Sequence, residues 1–488
     1  MLKAVRQPNL SPRYEGFAYQ AEALLTLRDL PYSAVFHEQG LGKTKIGVDL
    51  ALFWLQKDLV DSVVIVTKRG LVENWRQEIK RHTFLEPRIL GQDRKKNFFA
   101  FNSPVRLYLT HYEVMKSELK RLQLFQKTRR VAVLLDEAHK IKNPDAALTV
   151  ALFKLAEGFA RKVIMTGTPV ANRPFDIWAP IFFLDQGRAL GKDFKEFKSD
   201  LDLSNNLASS RQMQERFEEK LETIFDKIKD FAIRKTKATA GIELPKKVFY
   251  QESCNLAPRQ RELYESFRRD FKAYVRQSGV KVEDDAEDIL KRLLRLVQVA
   301  SNPRLVDEDY IEVPGKFLVL KALVDEIRAG KEKVLIWSSF TENVDWLHQQ
   351  LRQHSPVKVH GKMTIDARTN SIKRFMEEDD CGLFIATPAA AKEGLTLTVA
   401  NHAIFFDRSF SLDDYLQAQD RIHRISQQKT CTVRNLVAKE TVDEWVEVLL
   451  NAKALAAQMA QGDISREYYR AEANYAFGDM IRDILREG

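Results

Sequence analysis

Residues 37–44 read HEQGLGKT, set between the apolar residues 33–36 (SAVF) and the helix-forming residues 45–55 (KIGVDLALFWL). A short apolar strand, a glycine-rich turn and then a helix is the order that a phosphate-binding loop requires. Phosphate oxygens are held by backbone N–H groups crowded at a helix N-terminus, by an ammonium beyond them and, through magnesium, by a hydroxyl. Gly40 and Gly42 supply the bare backbone, Lys43 the ammonium and Thr44 the hydroxyl for the metal. The strict loop pattern has glycine where this chain has His37, so on pattern alone a glycine-rich turn without a nucleotide stays open.

Residues 131–140 (VAVLLDEAHK) narrow that choice by placing Asp136 and Glu137 at the end of a buried strand. An aspartate at such a strand end can hold the magnesium that Thr44 also touches, and the adjacent glutamate can orient an attacking water. Alone, an Asp-Glu pair reads as a solvated strand end. Following the glycine-rich loop in one lobe, it reads as the second half of an ATP site.

Outward from these two motifs, short unbroken apolar runs recur at residues 63–67, 131–135, 162–166, 334–339, 382–387 and 403–407. Runs of that length are buried on both faces, which means parallel sheet covered by helices. Between the third and fourth runs, residues 184–313 follow helical spacing amid many charges, as in QERFEEKLETIFDKIKDFAIRK. The chain therefore reads as α/β: two parallel-sheet lobes with helical insertions between them and a C-terminal helical brace, the lobes being RecA-like by the family resemblance given below. The expected boundaries are 1–183 for the ATP-binding lobe, 184–313 for the helical stretch, which that resemblance makes the protrusions and crossing segment, 314–440 for the second lobe and 441–488 for the brace. Breaks are signalled by Gly and Pro at residues 241–247 and 313–316.

The 488 residues suffice for about three average domains. A hydrophobic fraction of 44% with 30% charged residues is that of a globular chain. No uncharged apolar run reaches the roughly eighteen residues of a membrane span, and the N-terminus lacks a secretory core, so no membrane role and an intracellular location are expected. Cys254, Cys381 and Cys431 lie far apart, which excludes a disulfide framework and a zinc finger built from cysteine alone. The formal net charge of +9 points weakly to a polyanion.

Two further stretches carry chemistry. Residues 163–174 (VIMTGTPVANRP) end an apolar run in small hydroxylated residues suited to sensing a γ-phosphate, although generic turn chemistry looks similar. Residues 415–429 (YLQAQDRIHRISQQK) put Arg421 and Arg424 at i and i+3, expected on one helical face. They read either as arginine fingers for a transferring phosphate or as a solvated face. The basic runs at residues 93–96, 234–237, 268–272 and 291–295 suit phosphate contacts or solvated helix faces. Trp75 and Trp337 read as core.

The ordered series Tyr19-Gln20, GLGKT, VVIVTKRGLVENWRQEI, DEAHKIKN, TGTPVANRPFDIW, VLIWSSF, EGLTLT and QAQDRIHRISQ resembles the helicase motifs of superfamily 2, in the wording of the SNF2 (Swi2/Snf2) family. The resemblance runs from about residue 17 to residue 453. It implies that Gln20 reads the adenine, that Gly40, Gly42, Lys43, Thr44 and Asp136 hold ATP and Mg2+, and that Glu137 is catalytic with Arg421 and Arg424 as fingers. It also implies that Gln417 and Gln419 lie at the lobe interface, that residues 233–247 form the crossing segment, and that residues 297–306 and 440–445 match the second protrusion and the brace.

SNF2 proteins are ATP-driven translocases on duplex DNA. The resemblance thus implies a DNA-dependent ATPase moving on double-stranded or branched DNA, acting as a monomer with a targeting protein as a further partner. A strand-separating superfamily 2 helicase and a nucleotide-gated DNA clamp are the alternatives. Ala391, Lys392 and Thr396 depart from the wording of chromatin remodellers, and the phrase is closer to the small fork-remodelling or annealing-helicase branch and its prokaryotic and phage relatives. A bacterial or phage-infected cytoplasm is the expected setting, or a nucleus if the source is eukaryotic.

Overall fold

The computed structural model describes residues 9–170, 172–201, 211–278, 286–390 and 395–473, with backbone alone for residue 213 and for residues 271–278 and 286–292. The expectations placed on Ala391, Lys392 and residues 474–488 of the brace, and on the side chains of Lys272, Lys291 and Arg292, lie outside the described residues. The chain divides into two units, the first holding residues 1–206, 210–242 and 456–471, the second residues 207–209, 243–455 and 472–488. The division between Ile242 and Glu243 falls inside the Gly/Pro-punctuated stretch 241–247.

The first unit is built on β1 (Tyr32–Val35), β2 (Ser62–Thr67), β3 (Arg88–Ile89), β4 (Leu107–His111), β5 (Val131–Asp136), β6 (Arg161–Met165) and β7 (Ala232–Ile233). Their order across the sheet is β3-β4-β2-β5-β6-β1-β7, with every pair parallel. All residues of β2 and of β5 are buried, which is why both read as unbroken apolar runs. One core gathers Ile46, Leu50 and Trp54 of the helix Lys43–Gln56 with Val63, Ile65, Leu134 and Met165 of the sheet.

The second unit carries β8 (Lys247–Cys254), β9 (Val334–Trp337), β10 (Val357–Val359), β11 (Leu383–Ala386), β12 (His402–Phe405) and β13 (Cys431–Ala438), ordered β10-β11-β9-β12-β13-β8 and again all parallel. Alternate residues feed two separate cores. Leu335, Trp337, Phe384 and Phe405 pack on one side, and Val334, Ile336, Ile385 and Ile404 on the other. A sheet buried on both faces needs helices on both, as the period-two pattern of strand side chains dictates.

Both units are thus the expected α/β parallel sheets with helices. The stretch 184–313 is not purely helical, however, because it contains β7 and β8. β8 is an edge strand whose residues from Phe249 to Gln251 are exposed, so it lacks the continuous apolar run that marks a central strand. Among the described residues no strand pair is antiparallel, and no helix is long and apolar enough to cross a membrane.

Candidate active site

In the order β5-β6-β1 three neighbouring parallel strands end side by side, and parallel α/β sheets bind ligands beyond those carboxyl ends. β1 delivers the loop 36–42, β5 delivers Asp136 and Glu137, and β6 delivers Thr166-Gly167-Thr168. Two motifs about ninety residues apart in sequence therefore converge because one strand alone separates theirs.

The loop takes its shape from its glycines. Gly40 and Gly42 have φ of 86° and 64°, the left-handed region that glycine enters without steric cost. Gly42 caps the helix Lys43–Gln56 with no side chain satisfying its first N–H groups, which leaves them for an anion. A Cβ at Gly42 would also stand 2.4 Å from Gln20 Nε2. Gln20 is buried against this turn. Its Nε2 donates to Leu41 O at 3.2 Å, and its Oε1 accepts from Phe17 N at 2.9 Å.

Lys43 Nζ donates to His37 O at 3.0 Å and to Glu38 O at 3.3 Å. Burial lowers its pKa from the ordinary lysine value, against the opposing charges of Glu137 and Asp136. The β6 loop closes in behind it, since a Cβ on Gly167 would lie 3.1 Å from Lys43 Nζ. Thr44 is half-buried at the start of the helix.

Asp136 Oδ2 accepts from Trp75 Nε1 at 2.7 Å and from Thr67 Oγ1 at 2.9 Å, while Tyr112 OH donates to Asp136 O at 2.7 Å. Its Oδ1 accepts no hydrogen bond among the described residues. Burial, helped by the neighbouring Glu137 charge, pushes its pKa up to about 6, against the hydrogen bonds from Trp75 and Thr67. Glu137 has φ of 53°, an uncommon conformation for a residue with a side chain, of the kind that persists where surrounding structure enforces it. Burial works to raise its carboxyl, but His139 at 3.2 Å, with Lys68 and Lys43, outweighs burial and holds it well below the usual range. His139 in turn meets Lys68 Nζ at 3.0 Å and Thr166 Oγ1 at 3.4 Å.

Trp75 was expected in the core and is buried there, yet its indole N–H also holds the Asp136 carboxylate. Thr67, Lys68, Tyr112 and His139 join the site with it. Thr67, Lys68 and Trp75 fall within the quoted phrase VVIVTKRGLVENWRQEI and His139 within DEAHKIKN, so the signal was present without its role. His37 is fully buried, its ring lying against backbone groups of Tyr19 and Ile233. Burial and the nearby Lys43 charge bring its pKa down to about 4.

The residues fit magnesium. Asp136 offers a carboxylate oxygen that accepts no hydrogen bond among the described residues, Thr44 brings a half-buried hydroxyl at the start of the loop's helix, and among the described residues no group of three or more His, Cys, Asp or Glu could form an all-protein cage. Magnesium is commonly bound by one or two protein oxygens plus substrate phosphates.

In the second unit, the expectation that Arg421 and Arg424 share a helical face is corrected. The helix Leu412–Gln419 ends before them, and both lie on the turn beyond its cap Asp420, whose carboxylate Oδ1 takes the Lys247 ammonium at 3.0 Å. Arg421 is 3% exposed and donates to Leu395 O at 3.1 Å. Arg424 is half-buried and donates to Thr396 Oγ1 at 2.7 Å and to Asp420 O at 3.1 Å. Gln417 and Gln419 are buried, Gln417 donating to Asp413 Oδ1 at 2.7 Å.

The SNF2-related domain matches residues 31–305, and the helicase conserved C-terminal domain matches residues 315–426. The chain belongs to the SNF2-related family of ATP hydrolases. An uncharacterised ATP-dependent helicase of Mycoplasma genitalium is 27% identical over 89% of the chain. A chromodomain-helicase-DNA-binding protein 1-like of Danio rerio is 26% identical over 83%, and a DNA repair and recombination protein RAD54-like of Drosophila virilis 26% over 92%. The chain spans 41%, 40% and 62% of the lengths of these relatives. Among solved structures, the Sulfolobus solfataricus SWI2/SNF2 ATPase core in complex with dsDNA is 22% identical, covers 96% of this chain and 99% of that one, and has a TM-score of 0.42.

Proposed function

We propose that this SNF2-family chain is a DNA-dependent ATPase that couples MgATP hydrolysis to movement along double-stranded DNA and so remodels DNA or DNA–protein complexes. The observation that carries the reading is the convergence of Lys43, Asp136 and Glu137 on the ends of neighbouring strands, each held by its own partners. Gly40, Gly42 and the open N-terminus of the helix Lys43–Gln56 hold the phosphates, and Gln20 reads the base beside them. Asp136 and Thr44 hold the magnesium, which neutralises phosphate charge when bound. Glu137, kept ionised by His139 and Lys68, orients the attacking water. Arg421 and Arg424 supply the fingers that stabilise charge on the transferring phosphate.

The DNA part of the reading rests on the net charge of +9 and on relatives named for DNA binding and for DNA repair and recombination. Among the described residues every strand pair is parallel, which supports duplex tracking over strand separation, because a β-hairpin wedge needs an antiparallel pair. The test is ATP turnover with single strands, plain duplex and forks, run beside two displacement assays. Stimulation by duplex or fork, with a third strand displaced from a triplex while a tailed duplex stays paired, is expected. Efficient unwinding of the tailed duplex, or stimulation by single strands alone, would replace this reading with a strand-separating helicase.

A further inference from the structure

The carbonyls on which Lys43 rests belong to His37 and Glu38, at the point where β1 runs into the phosphate loop. Beyond Val35, whose carbonyl accepts from Thr166 N at 3.1 Å, that strand end is held by β7 and the residues that follow it. Phe36 N donates to Ile233 O at 2.8 Å, and Glu38 N donates to Lys235 O at 2.9 Å. Glu38 Oε2 accepts from Lys237 N at 2.8 Å. Arg234 NH1 donates to Phe36 O at 2.8 Å, closing the set at the residue before His37.

The rest of the Arg234 fork faces a residue 229 positions further along the chain. Nε donates to Asp463 Oδ1 at 2.7 Å, and NH2 pairs with Asp463 Oδ2. The two side chains are only 11% and 18% exposed, so the pair is largely removed from water, where a bidentate charge-assisted contact fixes orientation as well as position. Asp463 lies just past the helix Val442–Ala460, where the chain has re-entered the first unit. The segment carrying it has its own anchors. Arg466 Nε donates to Glu218 Oε2 at 3.2 Å, Arg470 Nε donates to the same oxygen at 2.6 Å, and Gly462 sits so close to Phe225 that a Cβ would stand 2.9 Å from its ring.

We infer that Arg234 and Asp463 are a positioning couple for the phosphate loop, through which the C-terminal segment sets how firmly the strand end presents Lys43 to the nucleotide. This rests on Lys43 being the phosphate lysine. Neither residue touches Asp136 or Glu137, so the couple governs nucleotide capture and leaves the hydrolytic step alone. Its loss is a binding defect.

The experiment compares steady-state ATPase and thermal midpoint for the full chain with Asp463→Asn, Asp463→Glu, Arg466→Ala and Lys43→Ala. Asp463→Asn should raise KM for ATP roughly tenfold with kcat within about twofold, and Asp463→Glu, which keeps the carboxylate, should return KM to within about threefold of the parent. Arg466→Ala loosens the same segment without touching the fork, so it should lower the thermal midpoint and leave KM unchanged. KM rising equally in Asp463→Asn and Arg466→Ala, rising in neither, or failing to recover in Asp463→Glu overturns the couple. Turnover persisting in Lys43→Ala overturns the phosphate-lysine reading itself, which keeps the two failures apart.

Discussion

The two functional regions are built differently. In the first unit Lys43 stands at the start of the loop's helix and rests on the His37 and Glu38 carbonyls, while Asp136 and Glu137 stand at the end of a buried parallel strand and are held by the side chains of Trp75 and Thr67 and of His139. In the second unit Arg421 and Arg424 stand on a turn past a helix end and are held by backbone carbonyls and one hydroxyl. A preorganised electrostatic site costs no reorganisation at the moment of reaction, whereas groups on a turn can be delivered and withdrawn. The first region reads as the chemistry and the second as its control.

The largest expected effect breaks the comparison outright if it fails. Lys43→Ala should bring ATP turnover below detection, because the other ammonium of the helix's first turn, Lys45, is taken up by Asp49. Glu137→Gln should still bind ATP, since Asp136 remains, while turning over orders of magnitude more slowly. Nucleotide binding by a fluorescent analogue and single-turnover hydrolysis separate the two. A Glu137→Gln variant hydrolysing at the parent rate would remove Glu137 from the mechanism.

Next come the arginines, which the structure lets us distinguish. Arg424→Ala should reduce DNA-stimulated turnover by a factor on the order of 10³ with the thermal midpoint nearly unchanged, because Arg424 is only half-buried. Arg421→Ala should lower both turnover and the midpoint, because removal of this buried side chain leaves a cavity and the half-buried Leu395 carbonyl loses a donor. Two variants with parent turnover would make the turn a structural feature only.

The same contrast governs how much could be read from sequence. β2, β5, β6, β9, β11 and β12 match apolar runs because central parallel strands are buried on both faces. The edge strands β3, β7, β8 and β10 escaped because an edge is wet on one side, and β4 and β13 because polar residues such as His111, Arg434 and Asn435 interrupt them. Lys43, Asp136 and Glu137 were legible because their motifs are contiguous and sit at strand ends. The Trp75 contact to Asp136 spans 61 residues and depends on where the helix Val72–His82 returns over the sheet, which no local pattern encodes. The helical face expected for Arg421 and Arg424 failed because helix spacing continues past Gln419 in the sequence while the backbone does not.

His37 offers a smaller test, again confined to the first unit. In the unfolded chain the ring takes its proton near pH 6.5, whereas in the fold burial delays this to about 4. Between those values the unfolded state holds more protons, so the stability tied to the neutral ring is complete above pH 6.5 and is lost as pH falls toward 4. The whole window corresponds to about 3 kcal/mol. His37→Gln cannot titrate and should show a shallower loss of thermal midpoint between about pH 7.5 and about pH 4.5. Parallel pH profiles for the two proteins would mean that the ring gains its proton inside the fold.

The smallest effect compares the supports of the two regions directly. Trp75→Phe keeps most of the ring volume but deletes the donor to Asp136 Oδ2, leaving Thr67 as the one side chain on that oxygen. A carboxylate with one of its two supports gone is less fixed and more basic, and partners of this kind typically carry ten- to a hundredfold in metal affinity. The low end is expected here, a roughly tenfold rise in the magnesium concentration for half-maximal ATPase, because Thr67 survives. Thr396→Val deletes the hydroxyl that accepts from Arg424 NH1, but the guanidinium keeps its bond to Asp420 O. Its mobile end loses one hydrogen bond worth about 1 kcal/mol, so turnover should fall by only a few fold and the magnesium requirement should not move. If Thr396→Val instead shifted the magnesium requirement as Trp75→Phe does, the turn would be acting on the metal rather than on the transferring phosphate, and the division between chemistry and control would have to be redrawn.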